Sequence, residues 1–239
     1  RLHYTFERGI ADHQKSDWLV ILGHGVTGNK DRPVIVDLAK ALNATGFDTL
    51  RFSFAGNGDS EGDFRNSTIS KEVGDLGAVL EAVSPSYSRI AYIGHSMGAA
   101  VGVLRAAQDR RINLLVSIAG MVETKTFAET EFGDEIPDEG LMWGEEDCPL
   151  SSAYMNDLCE TIVSVAPTAR EVTVPWLLVH GTADDVVSPI DTAQIEILKG
   201  DTVTAIRVEG ADHSFNEPDH KDEMIMSVLD WLKSQSRRS

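Results

Sequence analysis

Ser96, Asp184 and His213 have the residue types and the chain order needed for nucleophilic acyl transfer. A serine hydroxyl is a weak nucleophile near neutral pH. A histidine must take its proton, and a carboxylate must orient that histidine. Ser96 stands in Gly94-His95-Ser96-Met97-Gly98, Asp184 in His180-Gly181-Thr182-Ala183-Asp184-Asp185, and His213 in Gly210-Ala211-Asp212-His213-Ser214-Phe215. Serine, then acid, then histidine is one of the orders in which such a constellation is built. Spacing alone does not separate Asp184 from its neighbour Asp185. Asp212, adjacent to the histidine, is poorly placed to hydrogen-bond its ring.

Each of these segments follows an apolar, strand-like run. The serine pentapeptide sits between Arg89–Ile93 and a helical stretch from Met97, so Ser96 is expected on a tight, strained strand-to-helix turn with its hydroxyl exposed. Its two glycines are expected where any side chain would strike the neighbouring strand or helix. Strands are expected over Leu2–Glu7, Trp18–Leu22, Asp48–Phe54, Arg89–Ile93, Leu114–Ala119, Trp176–His180 and Thr202–Val208. Helices are expected over Val34–Asn43, Ser70–Val83, Met97–Asp109, Pro189–Lys199 and Lys221–Ser234. This alternation predicts an α/β fold, a mostly parallel sheet flanked by helices. Loops at the carboxyl ends of parallel strands are where such sheets build their sites. Gly98, Gly102 and Ala106, four residues apart, let the helix after Ser96 lie close to the sheet.

Acyl transfer also needs donors for the oxyanion. The backbone N–H of Met97, at a helix start, is one candidate, and the N–H of Val26 is the other. Val26 lies in the glycine-rich loop Gly23-His24-Gly25-Val26-Thr27-Gly28-Asn29-Lys30, which His24 is expected to hold in shape. The same loop satisfies the dinucleotide-binding pattern Gly-x-Gly-x-x-Gly. Two features exclude that reading: the helix begins only after Asp31-Arg32-Pro33, and Ser53-Phe54-Ala55 offers no acid for a ribose. Asn29 stands where a phosphate-binding loop requires lysine. No cofactor and no metal site is expected.

A chain of 239 residues with 42% hydrophobic and 25% charged residues suits one soluble globular unit. The net charge of −17 argues against nucleic acid as a partner. Apolar runs are strand-sized, so no membrane span is expected. The chain opens on Arg1 and reads as trimmed, so a missing signal peptide does not fix its compartment; cytoplasmic residence is expected over secretion. The strand–helix rhythm fails once, over residues 121–174, which reads as a cap inserted between core residues 1–120 and 175–239. Between Met121 and Leu150 this segment holds ten acidic residues against one basic, Lys125. The run reads as a solvated surface, and if it overlies the site it disfavours anionic substrates. Leu141, Met142 and Trp143 are its candidate pocket wall, and Cys148 and Cys159 read as free thiols.

Together these motifs, with Phe54-Ala55-Gly56-Asn57-Gly58-Asp59-Ser60-Glu61-Gly62, resemble the α/β-hydrolase superfamily over essentially the whole chain. The likeness is to small capped esterases of the cinnamoyl and feruloyl type, with monoglyceride-lipase-like and serine-aminopeptidase-like relatives close behind. It implies an eight-stranded sheet, a cap after the sixth core strand, and Ser96–His213–Asp184 as the triad. It favours Asp184 because the family acid stands three positions after the His-Gly pair. Cinnamoyl esterases typically carry Phe where this chain has Val26 and Gln where it has Met97; backbone donors survive both changes. The expectation is a cofactor-independent serine carboxylesterase acting on a small or medium uncharged ester. Peptidase, amidase or thioester hydrolysis with the same triad, and a non-catalytic receptor, are the competing readings.

Overall fold

Strands made of valine, isoleucine and leucine throughout belong in a parallel sheet covered on both faces. A computed structural model describes residues 1–10 and 16–237. Its single sheet contains β1 (Tyr4–Glu7), β2 (Trp18–Gly23), β3 (Asp48–Phe52), β4 (Arg89–His95), β5 (Ile112–Ile118), β6 (Trp176–Gly181) and β7 (Val203–Val208). The order is β1-β3-β2-β4-β5-β6-β7. β1 runs antiparallel to β3, and every other pair is parallel. The described residues show seven strands, and the long insertion lies between β5 and β6.

The helices are α1 (Pro33–Ala44), α2 (Ile69–Val83), α3 (Met97–Ala106), α4 (Thr124–Phe132), α5 (Ser152–Asn156), α6 (Ala166–Ala169), α7 (Pro189–Lys199) and α8 (Pro218–Ser236). Side-chain alternation along β2 divides the core. Trp18, Val20 and Leu22 face α1 and α8, with Ile35, Leu38, Val228 and Trp231. Leu19 and Ile21 face the layer of α2, α3 and α7, with Leu76, Leu80, Val101 and Ile195. Proline at the start of α1, α7 and α8 sets those boundaries, since a first-turn proline forfeits no helical bond. α8 continues to Ser236, and residues 238 and 239 lie outside the described residues.

Residues 121–174 are not unpatterned. They hold α4, α5, α6 and a π-helical turn over Asp157–Ile162, too short to leave a readable period. Val122, Phe127, Phe132, Leu150, Tyr154 and Leu158 are buried in the main core. Polar ties to α2 and α7 help to fix the segment. Asp157 accepts from Ser70 N at 3.0 Å and Ser70 Oγ at 2.5 Å, at the start of α2. Asp191, on α7, accepts from Val122 N at 2.6 Å and Glu123 N at 3.0 Å. Another acid of α2, Glu72, is wholly buried. Its Oε1 accepts from Ser67 Oγ, and its Oε2 has no partner among the described residues. Burial, opposed by the Ser67 bond and reinforced by Asp75 and Asp157, pushes its carboxyl well above the usual range.

Candidate active site

Ser96 occupies the turn from β4 to α3 with φ 55° and ψ −121°, a left-handed backbone that only a tightly determined turn sustains. The glycines around it are steric necessities. A Cβ on Gly94 would lie 2.2 Å from Gly98 O, one on Gly98 would lie 2.5 Å from His24 O, and one on Gly25 would lie 2.9 Å from Ser96 Cβ. The Gly23–Lys30 loop and the turn at Ser96 therefore interlock closely. Tyr92 Oη secures the joint by donating to Gly98 O at 2.9 Å.

The loop after β6 presents Asp184, whose carboxylate is fully enclosed. Its Oδ1 accepts from the N–H groups of Val186 at 3.0 Å and Val187 at 2.8 Å. Its Oδ2 faces His213 Nδ1 at 2.8 Å and His180 Nε2 at 3.1 Å. His180 Nε2 also faces Val187 O at 3.0 Å, so its proton sits on Nε2; Nδ1 then accepts from Thr192 Oγ1 at 2.7 Å. Burial alone would raise the Asp184 pKa. The His180 and His213 hydrogen bonds, the His213 charge and the Val187 N–H together hold it well below the usual carboxylate range. Asp185, the alternative by spacing, is exposed. Asp212 accepts from Asn216 N and Nδ2, away from the His213 ring.

His213 is held from behind as well. His95 Nε2 donates to His213 O at 3.0 Å, and the two rings lie 5.0 Å apart. Burial, aided by the neighbouring His213, pushes the His95 pKa down to about 3. Ser96 and His213 line one cavity of about 530 Å³. No hydrogen bond joins Ser96 Oγ to the His213 ring among the described residues, so the three residues form a linked acid–histidine pair with the serine beside it.

Val26 lines this cavity, and Met97 is the first residue of α3, where helix N–H groups lack internal partners. Neither N–H has a backbone acceptor among the described residues. His24 supports this loop from within the core. Its Nδ1–H donates to Gly25 O at 2.9 Å, and its Nε2 accepts from Phe54 N at 3.0 Å. Burial, outweighing the Gly25 bond and helped by the Arg32 charge, pushes the His24 pKa down to about 4.

Of the three expected wall residues, only Trp143 reaches the cavity. Met142 is buried in the core, and Leu141 bridges to Pro149 at the base of a short excursion. Trp143 has a left-handed φ of 50° and is half exposed. The cavity also takes in Arg32, Glu145, Val186 and Asn216, which the sequence reading missed. Arg32 and Glu145 offered the only signal, as charges near Val26 and Trp143. A groove of about 720 Å³ between α6 and α7 is larger, but its lining has no histidine, and its Ser164 Oγ donates to Glu123 at 2.7 Å. Among the described residues no cluster of His, Cys, Asp or Glu could hold a metal ion. None of the described helices is long and apolar enough to cross a membrane.

Residues 14–133 match the model of the family described as serine aminopeptidase, S33. The chain belongs to this family. The matched span includes Ser96 and the Val26 loop and ends before Asp184 and His213. Among solved structures, Est1E from Butyrivibrio proteoclasticus with ferulic acid bound has a TM-score of 0.88 at 25% identity, covering 99% of this chain and 96% of that one. The monoacylglycerol lipase of Paleococcus ferrophilus has a TM-score of 0.76 at 20% identity, covering 98% and 99%, a likeness of fold. The uncharacterized protein RP471 of Rickettsia prowazekii is 29% identical over 135 residues. That match spans 55% of this chain and 56% of that protein, so the chain spans about half the length of this curated relative. The fold is that of the α/β-hydrolases, of the serine hydrolase and esterase type.

Proposed function

We propose that the chain is a serine carboxylesterase with Ser96 as nucleophile, His213 as general base and acid, and Asp184 as its orienting carboxylate. The observation that carries this is the Asp184 Oδ2–His213 Nδ1 contact of 2.8 Å at the wall of the cavity that Ser96 also lines. With Nδ1–H committed to Asp184, His213 presents Nε2 as the free base. Catalytic hydrogen bonds are often long in unliganded enzymes, and the Ser96–His213 bond would close when an ester enters. Ser96 Oγ attacks the carbonyl carbon while its proton passes to His213. The negative oxygen is held by the N–H groups of Val26 and Met97, each worth about 2.7–4 kcal/mol in such sites. His213 returns the proton to the departing alcohol, then activates the water that hydrolyses the acyl-enzyme.

Residues 121–174 act in this reading as the cap over a core of 1–120 and 175–239, since Trp143 and Glu145 of that segment line the Ser96 cavity. A small or medium ester without net charge suits the enclosed space and the acidic surroundings. The family's description supports a second reading, peptide-bond cleavage by the same residues. Labelling by a fluorophosphonate probe tests the nucleophile: the native chain should be labelled and Ser96→Ala should not. Equal labelling of both would end the proposal, and no labelling of either would favour a receptor. Rates across p-nitrophenyl esters of increasing length, with methyl ferulate and aminoacyl amides alongside, separate the ester and peptide readings. Methyl ferulate belongs in the panel because Est1E binds ferulic acid.

A further inference from the structure

The Ser96 cavity contains one cationic and one anionic side chain for which ester hydrolysis has no use. Arg32, at the start of α1, lines it from the core, and Glu145 lines it from residues 121–174. Neither has an oppositely charged partner within salt-bridge distance among the described residues. Arg32 donates to Thr27 O at 3.0 Å, which leaves most of its five donors for a ligand. Glu145 accepts from Cys148 Sγ at 3.4 Å, a weak donor that leaves the carboxylate's charge unmatched. The two charges share one space. Burial, with the bond and charge of Glu145, pushes the Cys148 thiol up to about 12, and the Arg32 charge reaches the same thiol and opposes them.

Trp143 adds a second element on the Glu145 side. Its indole is 44% exposed and lines the same cavity, while its Nε1–H is fixed to Glu131 at 2.8 Å and its ring packs on Phe132 at 4.9 Å. A held aromatic face beside an unpaired carboxylate suits an ammonium group. An unpaired guanidinium suits a carboxylate. Arg32 and Glu145 are both exposed at the mouth of the cavity; a neutral ester would leave them to water, and a ligand with one charge would meet repulsion from one of them. A net anion would also have to approach a chain of net charge −17.

We propose that this cavity takes an ester whose non-reacting part is zwitterionic, its ammonium held by Glu145 and the Trp143 face and its carboxylate held by Arg32. The inference rests on the serine-hydrolase reading of Ser96 and narrows "without net charge" to "dipolar". The test compares kcat/KM for O-acetyl-L-homoserine, butyl acetate, acetylcholine and acetoxybutyrate, the last two carrying one charge each. The zwitterion should be the best substrate of the four. Arg32→Gln and Glu145→Gln should each lower the ratio of zwitterion to butyl acetate by about tenfold to a hundredfold, the scale of one charge-assisted hydrogen bond. Arg32→Gln should also weaken acetoxybutyrate against butyl acetate, and Glu145→Gln should weaken acetylcholine. Arg32→Lys, which keeps the cation, should retain more of the zwitterion preference than Arg32→Gln. Wild-type rates that do not favour the zwitterion overturn the proposal. So does an equal fall on zwitterion and butyl acetate in both variants, which would mean that Arg32 and Glu145 serve only each other. Failure of fluorophosphonate labelling at Ser96 would instead overturn the hydrolase reading, so the two failures are distinguishable.

Discussion

Replacing Asp184 by asparagine changes no shape and inverts one hydrogen-bonding surface. The carboxylate accepts four N–H groups: two from the backbone on Oδ1 and two from imidazoles on Oδ2. An asparagine has one acceptor atom for these two sets. If its oxygen keeps the backbone donors, its NH₂ faces His180 Nε2–H, whose proton is fixed by Val187 O, and compels His213 to accept at Nδ1. His213 then carries its proton on Nε2, where the serine needs a base. If the amide flips, the NH₂ faces the N–H groups of Val186 and Val187. Either way two charge-assisted bonds are lost, at about 1.5–3 kcal/mol each, so destabilisation of about 3–6 kcal/mol is expected. The wrong tautomer should lower kcat by about four orders of magnitude. Steady-state ester hydrolysis and thermal unfolding measure the two effects, with exposed Asp185→Asn as the control. Asp184→Asn within tenfold of wild type, or Asp185→Asn as the crippled variant, would refute this account of the site.

Three further outcomes are expected. His24 and His95 are neutral in the fold, with pKa values pushed down to about 4 and about 3, while the unfolded chain binds those protons near the ordinary histidine value. Stability should therefore fall as pH drops below about 6.5, by about 1.4 kcal/mol per pH unit for each histidine, and His24→Gln should remove one share of that slope in urea titrations. Glu72 has the opposite sign: its raised pKa means that the fold loses stability as pH rises above the ordinary carboxylate range. Glu72→Gln should raise the unfolding midpoint near pH 8 more than near pH 5, and an equal shift at both would show that ionisation is not the cause. Gly98→Ala should cost about 1–3 kcal/mol or more in thermal unfolding and slow labelling of Ser96, because the new Cβ meets the backbone of Gly23 and His24.

Much of the site was legible because it stands at strand ends. Apolar runs read as ending at residues 22, 93, 180 and 208 fall within two residues of the strand ends, and the Val26, Ser96, Asp184 and His213 segments follow them. The distinction between Asp184 and Asp185 was not legible, because a loop's side-chain directions depend on which carboxylate the N–H groups of Val186 and Val187 capture. The helices of residues 121–174 were hidden by their brevity, since four or five residues cannot express a 3.6-residue period. Leu141, Met142 and Trp143 looked equivalent as an apolar triplet. The structure places Trp143 at the cavity and Met142 in the core, a difference that three adjacent apolar residues do not announce. Arg32 and Glu145 line one cavity from 113 positions apart in sequence, and no local pattern encodes that sharing.

Two consecutive residues of α7 do separate jobs. Asp191 grips the first turn of the insertion through the N–H groups of Val122 and Glu123, while Thr192 grips the ring of His180, which in turn braces Asp184. In the proposed reading, with residues 121–174 as cap and Asp184 as the orienting acid, root of the roof and keel of the acid are thus bolted to one helical turn. Any chimera that grafts a foreign roof onto this core must reproduce the two N–H groups at its first splice. Otherwise the graft pulls on the same turn that keeps the acid in line, and a swap intended to alter substrate choice would blunt the chemistry instead.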